Sequence, residues 1–425
     1  MSEIWSARWS GLRNFTAGLA AGLAVMMAGA LSSASAQTLN ALFMAQAAYS
    51  DTDVKSMTAA FEKANPGVTV NLEFVPYEAL YDKIVASKAA GGAGYDVVLY
   101  DVIWPAAFAQ NGVLVDVTDR LKDLDRSKVF DGAWATVNYD GKTYGMPWIL
   151  DTKYLFYNTE ILQKAGIAEP PKTWDELAKD AKIIKDKGLV QYPIVWSWSQ
   201  AEAVICDYVT IAAAYQGKFY EDGKPVFDKG GSLDALKYMV QTLKDGISNP
   251  NSKEYLEEDV RKVFSAGDAA FALNWTYMYG KTGDPAESKV VGKVGVVPAP
   301  GVEGKTTASA VNGSMALGIT AGSSKADLAW KYIAFLTSQP VQNQYAQLSL
   351  PIWKSSYTDP AVTKGQEPVV KAADTSIGLM TSRPTVGAYQ ELSTILQTHI
   401  QNALAGKETP EDALAAAAKE AARIR

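Results

Sequence analysis

Apolar and polar positions alternate along this chain in two rhythms. Thr38–Met44 is a short apolar run, and at Val68, Val70, Leu72 and Phe74 the alternation has a period of two, as in a half-buried strand. Between them, Ser56–Lys63 carries a helical pattern that stops at Asn65-Pro66-Gly67, where proline and glycine cannot continue it. Tyr77–Ala90 predicts a helix closed by Gly91-Gly92, and Tyr95–Tyr100 a buried strand ending at Asp101. Glu257–Ala266 predicts a helix closed by Gly267, and Ala269–Asn274 a strand running into Trp275. Two helix starts are written in capping residues. Thr173 can cap free amides while Glu176 reaches back to it, and Thr409 precedes Pro410, Glu411 and Asp412, which suit the first turn and the positive end of a helix dipole. Strands and helices taking turns in this way predict an α/β protein of parallel sheets covered by helices on both faces. There is no internal repeat, coiled coil or linker to mark a domain boundary.

The amino terminus follows different rules. Arg8 and Arg13 precede a charge-free stretch from Thr16 to Leu31, and Ala34-Ser35-Ala36 is a small-residue cleavage site, so Met1–Ala36 reads as a secretory signal peptide. Its apolar run is about 16 residues, short of the roughly 20 that span a bilayer. No cysteine stands at the cleavage site to take a lipid. The expectation is a mature chain beginning near Gln37, free in a Gram-negative periplasm.

Charge and rare residues narrow the chemistry. Cleavage removes Glu3, Arg8 and Arg13 and leaves the mature chain one unit more negative than the −6 of the whole, which argues against nucleic acid and anionic membrane as partners. Cys206 is the only cysteine, so no intramolecular disulfide can form. Some 390 remaining residues exceed what one core usually serves and favour two domains. His399 is the only histidine, set in a helix-like segment, Tyr389–Leu404. His/Cys zinc sites therefore cannot be assembled, and a nucleophile–histidine triad would need a serine or Cys206 nearby by coincidence. No cofactor or metal is expected. Carboxylate pairs remain available for hydrolytic chemistry.

Several polar and aromatic residues fall at strand ends. Asp101 and Trp104 follow one strand, and Trp148 and Asp151 follow Tyr144-Gly145-Met146-Pro147. Trp196 and Trp198 follow Tyr192–Val195, and Trp275 and Tyr277 follow Ala269–Asn274. In open α/β sheets ligands bind at the carboxyl ends of strands, so these residues are candidates for a ligand cleft. Carbohydrate suits such a wall. The apolar C–H face of a pyranose stacks on indole, and its hydroxyl rim takes hydrogen bonds from charged groups such as Asp101 and Arg383. Trp174 and Trp330, inside helical patterns, are expected in the core.

The chain also resembles a known family. Phe61-Glu62-Lys63-Ala64-Asn65-Pro66-Gly67-Val68, Tyr95-Asp96-Val97-Val98, Asp140-Gly141-Lys142-Thr143-Tyr144-Gly145-Met146-Pro147, Phe156-Tyr157-Asn158, Pro171-Lys172-Thr173-Trp174-Asp175-Glu176-Leu177 and Phe264-Ser265-Ala266-Gly267-Asp268-Ala269-Ala270-Phe271 occur in order. Together they resemble the extracellular sugar-binding proteins of ABC importers, the group that includes maltose-binding protein, over nearly all of the mature chain. The resemblance implies a two-lobed periplasmic-binding-protein fold, each lobe a mostly parallel sheet flanked by helices, joined by several chain crossings. It implies a first lobe of residues 37–150 and 301–338 and a second of residues 151–300 and 339–425. It also implies ligand contacts from the loop holding Gln46, from Asp101, from Trp275, from Asn312 and Gly313, and from Arg383. Where the family often shows Gly-Gly, this chain has Asn312-Gly313, so an asparagine side chain is expected in the site.

The resulting expectation is a monomeric, non-enzymatic receptor. It would bind a sugar or glycoside of mono- or disaccharide size, neutral or an acidic or sulfonated derivative, between its lobes and deliver it to permease subunits in the inner membrane. One rival is a secreted carbohydrate-active enzyme pairing Asp101 with Asp151 or Glu202. Another is a receptor for a non-sugar such as a polyamine or a chelated metal, using Tyr277 and Tyr279.

Overall fold

The computed structural model describes residues 37–45, 48–92 and 94–424. The signal-peptide reading of Met1–Ala36 and the candidate Gln46 lie outside the described residues.

Ten strands form two five-stranded sheets. In chain order they are β1 (Gln37–Met44), β2 (Val68–Val75), β3 (Val97–Asp101), β4 (Met146–Ile149), β5 (Lys153–Asn158), β6 (Ile194–Val195), β7 (Phe271–Trp275), β8 (Val294–Val302), β9 (Thr306–Ser309) and β10 (Met315–Ile319). The first sheet has the order β2-β1-β3-β10-β4 and the second β9-β8-β5-β7-β6. The strands and helices anticipated from the pattern are present within a few residues of their expected ends. Helix Asp51–Ala64 begins earlier than its apolar spacing indicates, because Ser50 and Asp53 form a capping box: Asp53 N–H donates to Ser50 Oγ (3.1 Å) and Ser50 N–H to Asp53 Oδ2 (3.0 Å). The Thr173–Glu176 box and the Thr409 cap form as anticipated.

One part of the expected architecture differs. Mostly parallel sheets were expected, yet only β2-β1-β3 and the β7-β6 pair run parallel; β10 is antiparallel to β3 and β4, and β5 is antiparallel to both β7 and β8. The reason lies in connectivity. A parallel neighbour needs a crossover, usually a helix. β10 instead arrives straight from the other sheet through residues 310–314, with no crossover to fix its direction.

The three segments that lead between the two layers hydrogen-bond to one another. Gly313 N–H donates to Asp151 O (3.0 Å), Asn312 N–H to Thr381 O (2.9 Å), and Thr381 N–H to Ala310 O (2.9 Å). Around the first sheet lies a core holding Leu42, Phe43, Leu99 and Trp148; around the second lies one holding Trp174, Trp196, Trp198 and Tyr208.

Candidate functional site

A cavity of about 320 Å³ opens where the two sheets face each other. Its wall is built from strand ends and the first turns of the helices that follow them. Met44 and Ala45 come from the end of β1, Asp101 from β3, Ile149 from β4 and Asp151 from the segment just past it, and Trp275 from β7. Tyr77 and Glu78 open helix Tyr77–Ala89, Glu202 and Cys206 belong to helix Glu202–Ala214, and Glu257 and Glu258 open helix Glu257–Ser265. This is the strand-end address at which α/β sheets bind ligands, supplied here by both sheets. Its volume falls at the small end of the ~300–1,000 Å³ range of ligand pockets.

Trp275 is the one tryptophan on this wall among the described residues, and it is held on several sides. Its indole N–H donates to Glu257 Oε1 (3.2 Å), and the Lys153 ammonium lies 5.0 Å from its ring centroid. Gly313 makes room for it: a Cβ at that position would come within 2.3 Å of the ring. The indole is half-buried and fixed before any ligand arrives.

Arg383 is 2 % exposed and spans the cavity. One terminal nitrogen donates to Asp101 Oδ1 (2.8 Å) at the end of β3, and the other to Glu202 Oε1 (2.7 Å) at the start of helix Glu202–Ala214. Its Nε has no partner among the described residues. Asp101 also accepts from Tyr77 Oη (3.1 Å), and Glu202 from Tyr389 Oη (2.5 Å) and Ser393 Oγ (2.5 Å). Asp151 Oδ1 accepts from Thr276 Oγ1 (2.6 Å) and Thr152 N–H (2.9 Å), but burial outweighs these bonds and pushes its carboxyl up to about 7. Behind the indole, Lys153 is fully buried between Ser197 (2.7 Å), Asp207 (2.5 Å) and Glu257 (3.4 Å). Burial alone would drive its ammonium down; Asp207 and Glu257 outweigh that and hold it above the ordinary lysine value.

Of the residues singled out from sequence, the structure brings Asp101, Asp151, Trp275, Tyr277, Gly313 and Arg383 together on this wall. Four tryptophans are elsewhere. Trp104 is packed between Tyr77, Tyr81 and Phe108, and Trp148 between Phe43 and Tyr49, both in the first core. Trp196 and Trp198 are 0 % exposed and stack on each other with centroids 4.9 Å apart. Trp196 also packs against Trp174 with centroids 6.0 Å apart and donates its indole N–H to Ser248 Oγ (2.8 Å), and both rings belong to the second core, so their faces are spent on protein. Asn312 does not enter the cavity as expected; its Nδ2 donates to Gly132 O (2.9 Å), its Oδ1 accepts from Ser314 N–H (3.0 Å), and it is 1 % exposed. Sequence reasoning missed Tyr77, Glu78, Cys206, Glu257 and Glu258, and met Glu202 only as half of an enzymatic pair. Their common signal is position: most stand in the first turn of a helix entered from a strand end.

Neither rival chemistry is assembled. Asp101 and Glu202 share Arg383 instead of a proton, and Asp151 is occupied by Thr276. Tyr277 lines the cavity without Tyr279, and among the described residues no cluster of three or more His, Cys, Asp or Glu could hold a metal ion. His399 lies between Glu408 (3.0 Å) and Glu420 (3.4 Å), away from the wall.

Two helix-flanked sheets with a walled cavity between them define a two-lobed binding protein. The chain belongs to the bacterial extracellular solute-binding protein family, whose model matches residues 33–343. It is similar to an ABC transporter-binding protein of Deinococcus radiodurans, 29% identical over 374 residues that cover 84% of this chain and 87% of that one. Among solved structures it is similar to maltose-bound MalE3 of T. maritima, with a TM-score of 0.84, 30% identity, and coverage of 91% of this chain and 99% of that one. A solute-binding protein of Agrobacterium radiobacter K84 in complex with ribitol is also similar, with a TM-score of 0.82, 26% identity, and coverage of 92% and 99%. The family is one of non-enzymatic solute-binding proteins of ABC transporters, which implies a small-molecule ligand and a permease partner and suggests a periplasmic or extracellular location.

Proposed function

We propose that this protein binds a sugar, glycoside or polyol of mono- to disaccharide size against Trp275 and delivers it to the permease subunits of an inner-membrane ABC importer. The observation that carries this reading is the pre-set indole: a half-buried ring, fixed by Gly313, Glu257 and Lys153, forms one wall of a cavity that also presents apolar side chains such as Met44, Ile149 and Met315 together with carboxylates and tyrosines. That combination matches the C–H face and hydroxyl rim of a carbohydrate. The maltose and ribitol held by two similar proteins agree in ligand class. Residues of both sheets line the cavity, so a ligand that touches both at once favours the closed arrangement of the lobes, and closure presents the loaded form to the permease. Secretion through cleavage after Ala36 into a Gram-negative periplasm, and a monomeric state, complete the proposal.

The lobe boundaries are part of it. A first lobe of residues 37–150 and 301–338 and a second of 151–300 and 339–425 follow the family pattern. The pairing of β8 with β9 favours moving the second crossing to residues 310–314, and the bonds from Gln342 Nε2 to Trp148 O (2.7 Å) and from Phe130 N–H to Ile352 O (3.2 Å) favour a third crossing beyond residue 352.

A thermal-shift screen of the mature chain over neutral sugars, polyols, uronic acids and sulfosugars tests the reading, because a tight ligand raises the melting temperature by mass action. At least one sugar or polyol is expected to stabilise the protein, and Trp275→Ala is expected to weaken its binding at least tenfold, about 1.4 kcal/mol. A screen with no carbohydrate hit, or an unchanged affinity in the variant, contradicts it.

A further inference from the structure

Arg383, the one cation on the cavity wall among the described residues, is bracketed by two carboxylates, and so are two cations buried behind that wall. Arg383 lies between Asp101 (2.8 Å) and Glu202 (2.7 Å), Lys153 between Asp207 (2.5 Å) and Glu257 (3.4 Å), and Arg261, behind the wall, between Glu258 (3.0 Å) and Glu287 (3.0 Å). Two further wall carboxylates have no cation within ion-pair distance among the described residues, the exposed Glu78 and the buried Asp151. On the wall itself Glu78, Asp101, Glu202, Glu257 and Glu258 stand with a single cation, Arg383, even leaving Asp151 aside. All three cations are themselves 6 % exposed or less.

This balance decides what charge an occupant can carry. A uronate or sulfonate would find no free cation among the described wall residues; to gain one it would have to break a buried pair and strand a carboxylate, which is strongly unfavourable. A protonated amine meets the opposite field, in a partly buried setting where Coulomb terms are screened far less than in water. Two polar groups on the wall are left for a ligand to meet. Arg383 Nε is buried and has no hydrogen-bond partner among the described residues, and the buried Tyr277 hydroxyl, beside Glu258, has none of normal geometry. As donors they suit the hydroxyl and ring oxygens of a sugar.

Building on the carbohydrate reading above, we propose that the solute is an amino sugar or an amine-bearing glycoside: hydroxyls meet Arg383 and Tyr277, and the ammonium faces the carboxylates of Glu78, Glu257 and Glu258. The cavity is thereby selective against acidic and sulfonated sugars.

Calorimetric titration at pH 7 with glucose, glucosamine, glucuronate and putrescine, at about 20 and about 200 mM salt, tests this. Glucosamine is expected to bind at least fivefold more tightly than glucose, with glucuronate weakest and the glucosamine affinity falling as salt rises. Glu78→Gln, a substitution at an exposed position that the fold tolerates, is expected to narrow the glucosamine-to-glucose ratio. A ratio below fivefold, or glucuronate binding as well as glucose, overturns the charge inference and leaves the sugar reading standing. Binding of putrescine with no sugar bound overturns the sugar reading and leaves the charge inference. Binding of none of the four overturns the charge inference, and the sugar reading then stands or falls with the thermal-shift screen.

Discussion

Asp151 is a carboxylate kept in a place that disfavours its charge. It is 5 % exposed, its bonds come from Thr276 and the Thr152 amide, and burial lifts it from about 3.8 to about 7. The sign of its effect on stability follows from linkage. Below pH 3.8 both the folded and the unfolded chain hold the proton. Between there and pH 7 only the folded chain does, so the stability Asp151 confers falls as pH rises, and above pH 7 the loss is complete. The total is on the order of a few kcal/mol. Asp151→Asn is expected to remove this slope. In urea melts from pH 4 to pH 8, the variant should gain on the wild type as pH rises; a difference that stays constant with pH contradicts the assignment. Gly313 shows the same local logic in steric form, since only a residue without Cβ leaves the Trp275 ring its place.

At the scale of elements, much of the molecule was legible in the chain. Period-two alternation in β2, the capping residues of helices Trp174–Asp186 and Pro410–Ala421, and the glycine and proline stops are local features, and local features survive in any tertiary setting. The strand-end address of the site was legible too, and it located Asp101, Asp151 and Trp275. What the chain did not disclose is which strand ends face the cavity. Trp196 and Trp198 stand just past strand β6 much as Trp275 stands at the end of β7, yet Trp196 stacks on Trp198, packs against Trp174 and donates its indole N–H to Ser248 Oγ, so both rings are closed off by the second core. Strand direction was hidden for a related reason: β10 comes from a distant segment, and pattern alone carries no record of that. The two kinds of tryptophan can be separated by experiment. Trp196→Ala, in the second core, is expected to cost about 3–5 kcal/mol of stability while leaving the affinity of the folded protein within twofold. Trp275→Ala should do the reverse. Denaturant melts paired with calorimetry check both, and a loss of affinity in Trp196→Ala would contradict its placement in the core.

Over the whole molecule, the cavity is a junction. Asp101 stands at the end of a first-sheet strand, Glu202 at the start of a helix packed in the second core, and Arg383 joins them from a segment that lies beside residues 310–314. Charge, indole and chain crossings therefore meet in one place, which is how a small solute can influence the relation of two large lobes. A ligand shifts such an equilibrium only by its differential affinity for the two arrangements. In the proposed reading, groups drawn from both sheets supply that differential, whereas a site confined to one sheet would not. The central claim is accordingly spatial, and a crystal structure of the mature protein with the tightest carbohydrate from the screen tests it most directly. The account predicts one ligand with its ring against Trp275, touching Asp101 or Glu78 on the first-sheet side and Glu257 or Glu258 on the second-sheet side; a ligand seated elsewhere, or held by one sheet alone, would contradict it.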